Sequence, residues 1–330
     1  MPFPDVLGHD RVKGLLARAL GLGRLPPALL LTGPEGVGKR TLALEVARGL
    51  VCDAGPGEPC GRCRTCLRSA RSLHPDLIVV APEKSENFMK VSAIKIDQVR
   101  DAVREIAGLP FEARARAVII DDAHAMTEQA MNALLKSLEE PPATSHVMLV
   151  TASPQALLPT IRSRSQTLRL GPLPSVLLES HLQDRLGLTP AEARLRAALS
   201  GGSLGAALAF EAEGYRALRD AILIVLEKAP GSAAHHRLQW SEGLADAEDP
   251  LLVLTALRSL LRDVAAARAG VPPDRLLNAD VGDRVQGVAR GPLGERALAL
   301  SEAAEEVRTN LRGNASRPLS MDVLVDTLAG

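Results

Sequence analysis

One stretch narrows the possibilities for this chain more than any other: Gly33-Pro34-Glu35-Gly36-Val37-Gly38-Lys39, just after the apolar run Ala28–Leu31 and ahead of the helical run Arg40–Val51. A glycine-rich loop between a buried strand and a helix can turn its backbone N–H groups inward around phosphate oxygens, with the positive end of the helix behind them. Gly33, Gly36 and Gly38 would shape that cage, and Lys39 would reach the outer phosphates. In the full pattern the residue after the lysine is Ser or Thr, whose hydroxyl holds Mg2+. Here it is Arg40, and Thr41 comes one residue late. One residue turns a helix by about 100°, so Thr41, the nearest hydroxyl, is expected to point away from a metal. The cage implies ATP or ADP as its ligand, and Arg40 argues against Mg2+.

The surrounding sequence supplies the sheet that such a loop needs. Ala28–Leu31, Asp76–Val80, Ala117–Ile120 and Val147–Val150 are short and continuously apolar, as buried parallel strands are. Helical runs at 40–51, 94–106 and 127–139 lie between them. The last begins near Thr127 and stops before Pro141-Pro142. This alternation predicts a doubly wound α/β domain. After Gly171-Pro172 the pattern changes to Ala-, Leu- and Arg-rich helical runs, with no strand from Pro174 onward. Breaks fall at Gly201-Gly202, Pro230-Gly231, Pro272-Pro273, Gly291-Pro292 and Gly313.

Two further strand ends carry polar groups. Asp121 and Asp122 close the strand at 117–120, where Asp121 would hold a metal beside the phosphate loop. Asp122 stands where a Glu commonly activates water, and is one methylene shorter. Thr151 closes the strand at 147–150 and can sense an outer phosphate. His124 reads as a helix-start residue without a ligand role. Downstream, Arg162 and Arg164 in Pro159-Thr160-Ile161-Arg162-Ser163-Arg164-Ser165-Gln166 are surface guanidinium groups by composition alone.

All four cysteines lie in one segment, Cys52, Cys60, Cys63 and Cys66, spaced C-x7-C-x2-C-x2-C. Sulfurs crowded onto one knuckle, with turns from Pro56, Gly57, Pro59 and Gly61, suit a structural tetrahedral Zn2+ with no open position. An iron–sulfur cluster, free thiols and a redox pair are the alternatives. The chain has 39 basic and 39 acidic residues, so it lacks the basic excess that a protein holding DNA alone normally needs. No apolar run approaches the about 18 residues of a membrane span, and Met1-Pro2-Phe3-Pro4-Asp5 is no signal peptide. The expectation is a cytoplasmic chain without a membrane contact.

Together these residues resemble the bacterial DNA polymerase III clamp-loader family. The resemblance rests on Phe3–Gly8, Gly33–Lys39, the cysteine knuckle, His74-Pro75-Asp76, Ala133–Pro142 with its Leu-Glu-Glu-Pro-Pro ending, and Pro159–Arg164. It is strong over residues 3–170 and loose beyond, where Asn310, Asn314, Arg317-Pro318-Leu319 and Val323-Leu324 fit the closing helices. It implies an α/β P-loop (AAA+) domain with a parallel sheet at 1–170, carrying the zinc module as an insertion at 52–66. A small helical lid domain at 171–229 and an all-α C-terminal collar domain at 230–330 would follow.

The family has a hydrolysing gamma/tau branch and a delta-prime branch that largely gives up hydrolysis. Arg40, Asp122 and Gly205, where the motor's lid offers a phosphate-sensing Arg, favour the delta-prime branch. The resemblance makes Arg164, behind Ser163, a finger donated in trans to a neighbour's ATP, although Ser165 replaces the usual Cys. It implies gamma/tau and delta subunits as partners in a pentameric ring, with the sliding clamp and primer–template DNA reached through that assembly. A gamma-type ATPase and an unrelated AAA+ remodeller are the competing readings. Arg40 and Gly205 count against the first, Leu134–Pro142 and Pro159–Gln166 against the second.

Overall fold

The computed structural model describes residues 3–55, 57–71, 73–82, 93–247, 249–312 and 316–330; Pro56, Gly313 and Asn314 lie outside them. The chain divides into two compact units, Met1–Leu177 with Gly202–Ala206, and Leu178–Gly201 with Ala207–Gly330.

The first unit runs α1 (Asp10–Gly21), β1 (Ala28–Thr32), α2 (Lys39–Val51), α3 (Arg64–Ala70), β2 (Leu77–Val80), α4 (Ile96–Ala107), β3 (Arg116–Ile120), α5 (Glu128–Glu139), β4 (Ser145–Thr151), α6 (Pro159–Arg164) and β5 (Gln166–Arg169). The strands form one sheet in the order β2-β3-β4-β1-β5, every pair parallel. The phosphate-loop strand β1 therefore sits between β4 and β5, and β3 lies one strand away. Side chains alternate between two buried layers. Leu29 and Leu31 join Ala117, Ile119, Met148 and Val150 on the face with Leu42 and Val46 of α2. Leu30 joins Val118, Ile120 and Leu149 on the face with Val99 of α4 and Leu134 of α5. Burial on both faces is why the strands read as unbroken apolar runs. This is the doubly wound α/β P-loop architecture expected from the sequence.

Two elements carry little sequence signal. β5 has a single buried side chain, Leu168, among exposed neighbours, so no apolar run marks it. It is an edge strand, held by its ladder to β1. α1 buries only Lys13, Leu16 and Leu20, and the Lys13 ammonium donates to the Val6 carbonyl at 2.9 Å. α5 starts where expected, with the Thr127 hydroxyl accepting from the Ala130 N–H at 3.3 Å.

The second unit contains no strand among the described residues. α7 (Ser175–Leu186) and α9 (Leu204–Ala209) cross the division, and α8 (Pro190–Leu199), α10 (Ala212–Lys228), α11 (Ala234–Ala245), α12 (Pro250–Arg268), α13 (Gly282–Arg290), α14 (Pro292–Arg312) and α15 (Arg317–Ala329) complete it. Its core joins Ile222 and Leu226 of α10 to Leu257 and Leu261 of α12, Val285 of α13, Leu300 of α14 and Leu324 of α15. A buried polar knot pins α10 to α12: the Tyr215 hydroxyl lies 2.7 Å from the Ser259 hydroxyl and donates to Asn278 at 3.0 Å. Burial pushes the Tyr215 phenol up to about 12, so it stays neutral and keeps its proton to donate. No helix among the described residues is long and apolar enough to cross a membrane.

Candidate nucleotide-binding site and cysteine cluster

The phosphate loop leaves β1 at Thr32 and enters α2 at Lys39. Gly33 has φ 143°, and a Cβ there would lie 2.0 Å from the Leu170 carbonyl oxygen, so only glycine lets the loop leave the sheet beside β5. Gly36 has φ 68°, and a Cβ there would lie 2.2 Å from the Ser203 hydroxyl. The Gly205 N–H donates to the Gly36 carbonyl at 2.9 Å, so the Gly202–Ala206 segment is bonded onto the loop. A Cβ on Gly205 would come within 3.0 Å of Gly36 Cα. An arginine at 205 would thus require the loop to shift as well as add a phosphate contact.

Lys39 is 7% exposed and donates to the carbonyls of Gly33 at 2.9 Å and Pro34 at 2.7 Å. Burial pulls its pKa down, while Glu35, Asp122 and Asp121 pull it back up. Asp121, at the end of β3, is 8% exposed. Burial raises its carboxyl above the usual carboxylate range, against the pull of Arg40. Arg40 Nη1 donates to Asp121 Oδ2 at 2.9 Å. Thr41 is exposed, and the residue that meets Asp121 is Arg40. Mg2+ takes oxygen ligands in near-octahedral geometry. The side chain at position 40 offers no oxygen, and the Asp121 carboxylate already accepts from a guanidinium. These residues do not fit Mg2+.

Asp122 adopts the left-handed conformation, φ 48°, and is exposed. The turn it opens carries His124 back to the sheet, where His124 Nδ1 and the fully buried Thr151 hydroxyl share a hydrogen bond at 3.2 Å. Thr151 also accepts from the Ser153 N–H at 3.0 Å. His124 is therefore the orienting partner of Thr151, a role that sequence reasoning missed because it takes the parallel pairing of β3 with β4 and the αL turn at Asp122 to set His124 beside Thr151.

Arg164 closes α6. Its Nη2 pairs with Glu139 Oε1 at 2.8 Å and its Nη1 donates to the Thr160 carbonyl at 3.2 Å. The Arg164 side chain is 36% exposed and Glu139 is 50% exposed, so the pair lies at the surface. Ser165 is buried and donates to the Ile161 carbonyl at 2.9 Å, which fixes the end of the helix under the arginine.

The four cysteines come together. Cys52 caps α2, Cys63 caps α3 and Cys66 lies inside α3. All four Sγ atoms lie within 4.8 Å of one another, and the pairs Cys52–Cys63 and Cys60–Cys66 are 4.0 Å apart. Tetrahedral thiolates at about 2.3 Å from a metal have sulfurs about 3.8 Å apart, so the group could hold a metal ion. Backbone N–H groups of Arg62 and Cys63 bring the Cys60 thiol down to about 6, and burial pushes Cys66 up to about 12. The Thr65 hydroxyl donates to Asp53 at 2.7 Å, which braces α3 against the α2 end of the loop.

Asp76, just before β2, is fully buried. It accepts from the N–H groups of Phe111, Glu112 and Ala113 at 2.6, 2.8 and 2.9 Å and from Arg116 Nη2 at 3.0 Å. Arg116 also reaches the Glu105 carbonyl. Glu112 pairs with Arg68 of α3, so this knot ties the cysteine module to the sheet.

The family described as DNA polymerase III, delta subunit, matches residues 8–174. The delta-prime subunit of Bacillus subtilis DNA polymerase III is 30% identical, covering 92% of each chain. The delta-prime subunit of Pseudomonas aeruginosa is 38% identical over 61% of this chain and 60% of its own length. The tau subunit of Salmonella typhimurium is 37% identical over 49% of this chain but only 24% of its own length. The chain thus spans a quarter of that tau relative and nearly all of the Bacillus one.

Proposed function

The chain belongs to the DNA polymerase III delta-subunit family, as a clamp-loader subunit of the delta-prime kind, and on that footing we propose that it is a ring member with little or no ATP hydrolysis of its own, which lends Arg164 to the ATP of an adjoining motor subunit. The observation that carries this reading is a contrast between the chain's own phosphate loop and the end of α6. Arg40 sits on Asp121 where a metal would be held, and Gly205 is packed against Gly36 where a phosphate-sensing side chain would stand. Arg164, by contrast, is intact and exposed at the end of α6. Both of these features needed to break a phosphoanhydride are missing, and the one that would act on a neighbour's remains. In the ring, residues 171–229 would be the lid and 230–330 the collar that joins neighbouring subunits. The gamma/tau and delta subunits are the proposed partners. ATP bound between subunits would close the ring on the sliding clamp at primer–template DNA, and its hydrolysis would release the clamp.

Two measurements test this. The purified chain should co-purify with delta and gamma/tau subunits. Alone, it should turn over ATP no faster than a Lys39→Ala control. Robust turnover by the pure chain would move it to the motor branch. Failure to join either subunit would remove it from the ring.

The cysteine cluster is proposed to hold Zn2+ in a structural role, since all four ligands come from the protein and no coordination position stays open. Metal analysis should find about one zinc per chain, and Cys66→Ser should abolish it and lower the thermal midpoint by several degrees. A brown chain with visible absorbance would indicate an iron–sulfur cluster instead.

A further inference from the structure

We propose that Arg40 is a built-in replacement for the divalent cation of this phosphate loop, so that a nucleoside polyphosphate binds at residues 33–39 without Mg2+. The inference rests on the reading of 33–39 as a phosphate cage, and not on membership in the ring.

In a phosphate loop the metal does two things. It neutralises the acidic residue on the neighbouring strand, and it presents positive charge to the outer phosphates. Arg40 meets both needs from the first turn of α2. Its Nη1 lies 2.9 Å from Asp121 Oδ2, so the buried carboxylate is already neutralised. A guanidinium carries five N–H donors in a planar fork. One of them faces Asp121, and the side chain is 57% exposed at the mouth of the loop, so other donors can turn to phosphate oxygens, for which this geometry is well matched. Lys39, 7% exposed beside the loop carbonyls, supplies the second positive charge.

A magnesium ion would have to take Asp121 from Arg40 and then sit beside the displaced guanidinium with no hydroxyl at position 40 to coordinate it. Like charges at that range repel strongly in a half-buried site, and Mg2+ gives up its waters reluctantly. Both effects favour the resident cation. The replacement also explains why the loop glycines and Lys39 persist beside an incapable metal site: phosphate is still gripped, while the ion that polarises it for attack is excluded.

The test is calorimetric titration of the full-length chain with ATP, once in excess Mg2+ and once in EDTA. The expected dissociation constants agree within about twofold. Arg40→Ser should weaken binding at least tenfold in EDTA, with most of the loss restored by Mg2+. Arg40→Lys, which keeps the charge, should remain indifferent to Mg2+. Native binding that tightens tenfold or more with Mg2+ would overturn the proposal, as would no ATP binding in either buffer. Neither result would touch the co-purification with delta and gamma/tau, so the two readings fail separately.

Discussion

In the reassembled clamp loader, Arg164→Ala is expected to lower hydrolysis at the adjoining subunit's ATP by about 1,000-fold or more, while the ring still forms. The magnitude follows from what an arginine does to a phosphoryl transition state. Charge spreads onto the equatorial oxygens, and a guanidinium aimed there stabilises it more than it stabilises bound ATP. A thousandfold corresponds to about 4 kcal/mol of transition-state stabilisation. Against this stands the cost of taking Arg164 from its resting partner. Glu139 and Arg164 meet at the surface, half and about one-third exposed, and an exposed pair contributes about 1 kcal/mol or less. A finger at Arg164 could therefore leave Glu139 with most of its proposed catalytic effect intact. The same pair and the bond to the Thr160 carbonyl set the position of the guanidinium at the end of α6.

The measurement is DNA-stimulated ATP turnover of the complex, with assembly checked by gel filtration. Arg164→Lys is expected to recover little, because an ammonium is a point charge without the planar fork. Unchanged turnover in the Ala variant would remove Arg164 from the chemistry. Turnover lost together with the ring would make it a packing residue instead.

Much of this was legible in the sequence because the chemistry is local. Gly33–Lys39 forms its loop within seven residues, and the cysteine cluster closes within fifteen. Apolar runs marked four of the five strands, since each is covered on both faces. What stayed hidden depends on contacts distant in sequence. Arg40 could be seen to spoil the metal site, but its seat on Asp121 joins residues 81 positions apart and needs β1 and β3 to lie one strand from each other. The bond between Gly205 and Gly36 needs a chain segment from beyond the α/β sequence to return to the loop. His124 looked inert because its partner Thr151 lies on another strand. β5 was silent because an exposed edge strand has no apolar pattern to show.

His74-Pro75-Asp76 is the clearest instance of a motif visible in sequence whose work only the fold reveals. Asp76 is fully buried, and its charge is balanced by Arg116, itself only 4% exposed. Burial alone would raise its carboxyl, but the N–H groups of Glu112, Phe111 and Ala113 and the Arg116 guanidinium outweigh it and hold the pKa below the ordinary 3.8. Asp76→Asn is expected to cost about 3–5 kcal/mol, because the Arg116 charge is left buried without its counter-ion. Urea unfolding should show the midpoint fall with little change in slope. Asp76→Asn with Arg116→Gln should recover only part of the loss, since an amide accepts fewer of the three backbone N–H bonds than a carboxylate does. The pH dependence has a fixed sign. A carboxyl with a depressed native pKa stabilises the fold above its unfolded value and loses that contribution as pH falls below about 3.8 through the native value. The native chain should therefore lose stability more steeply than the Asn variant in that acid range. A variant whose unfolding free energy from urea stays within about 1 kcal/mol of native, or whose acid limb is as steep, would mean that the knot between the cysteine module and the sheet is held elsewhere.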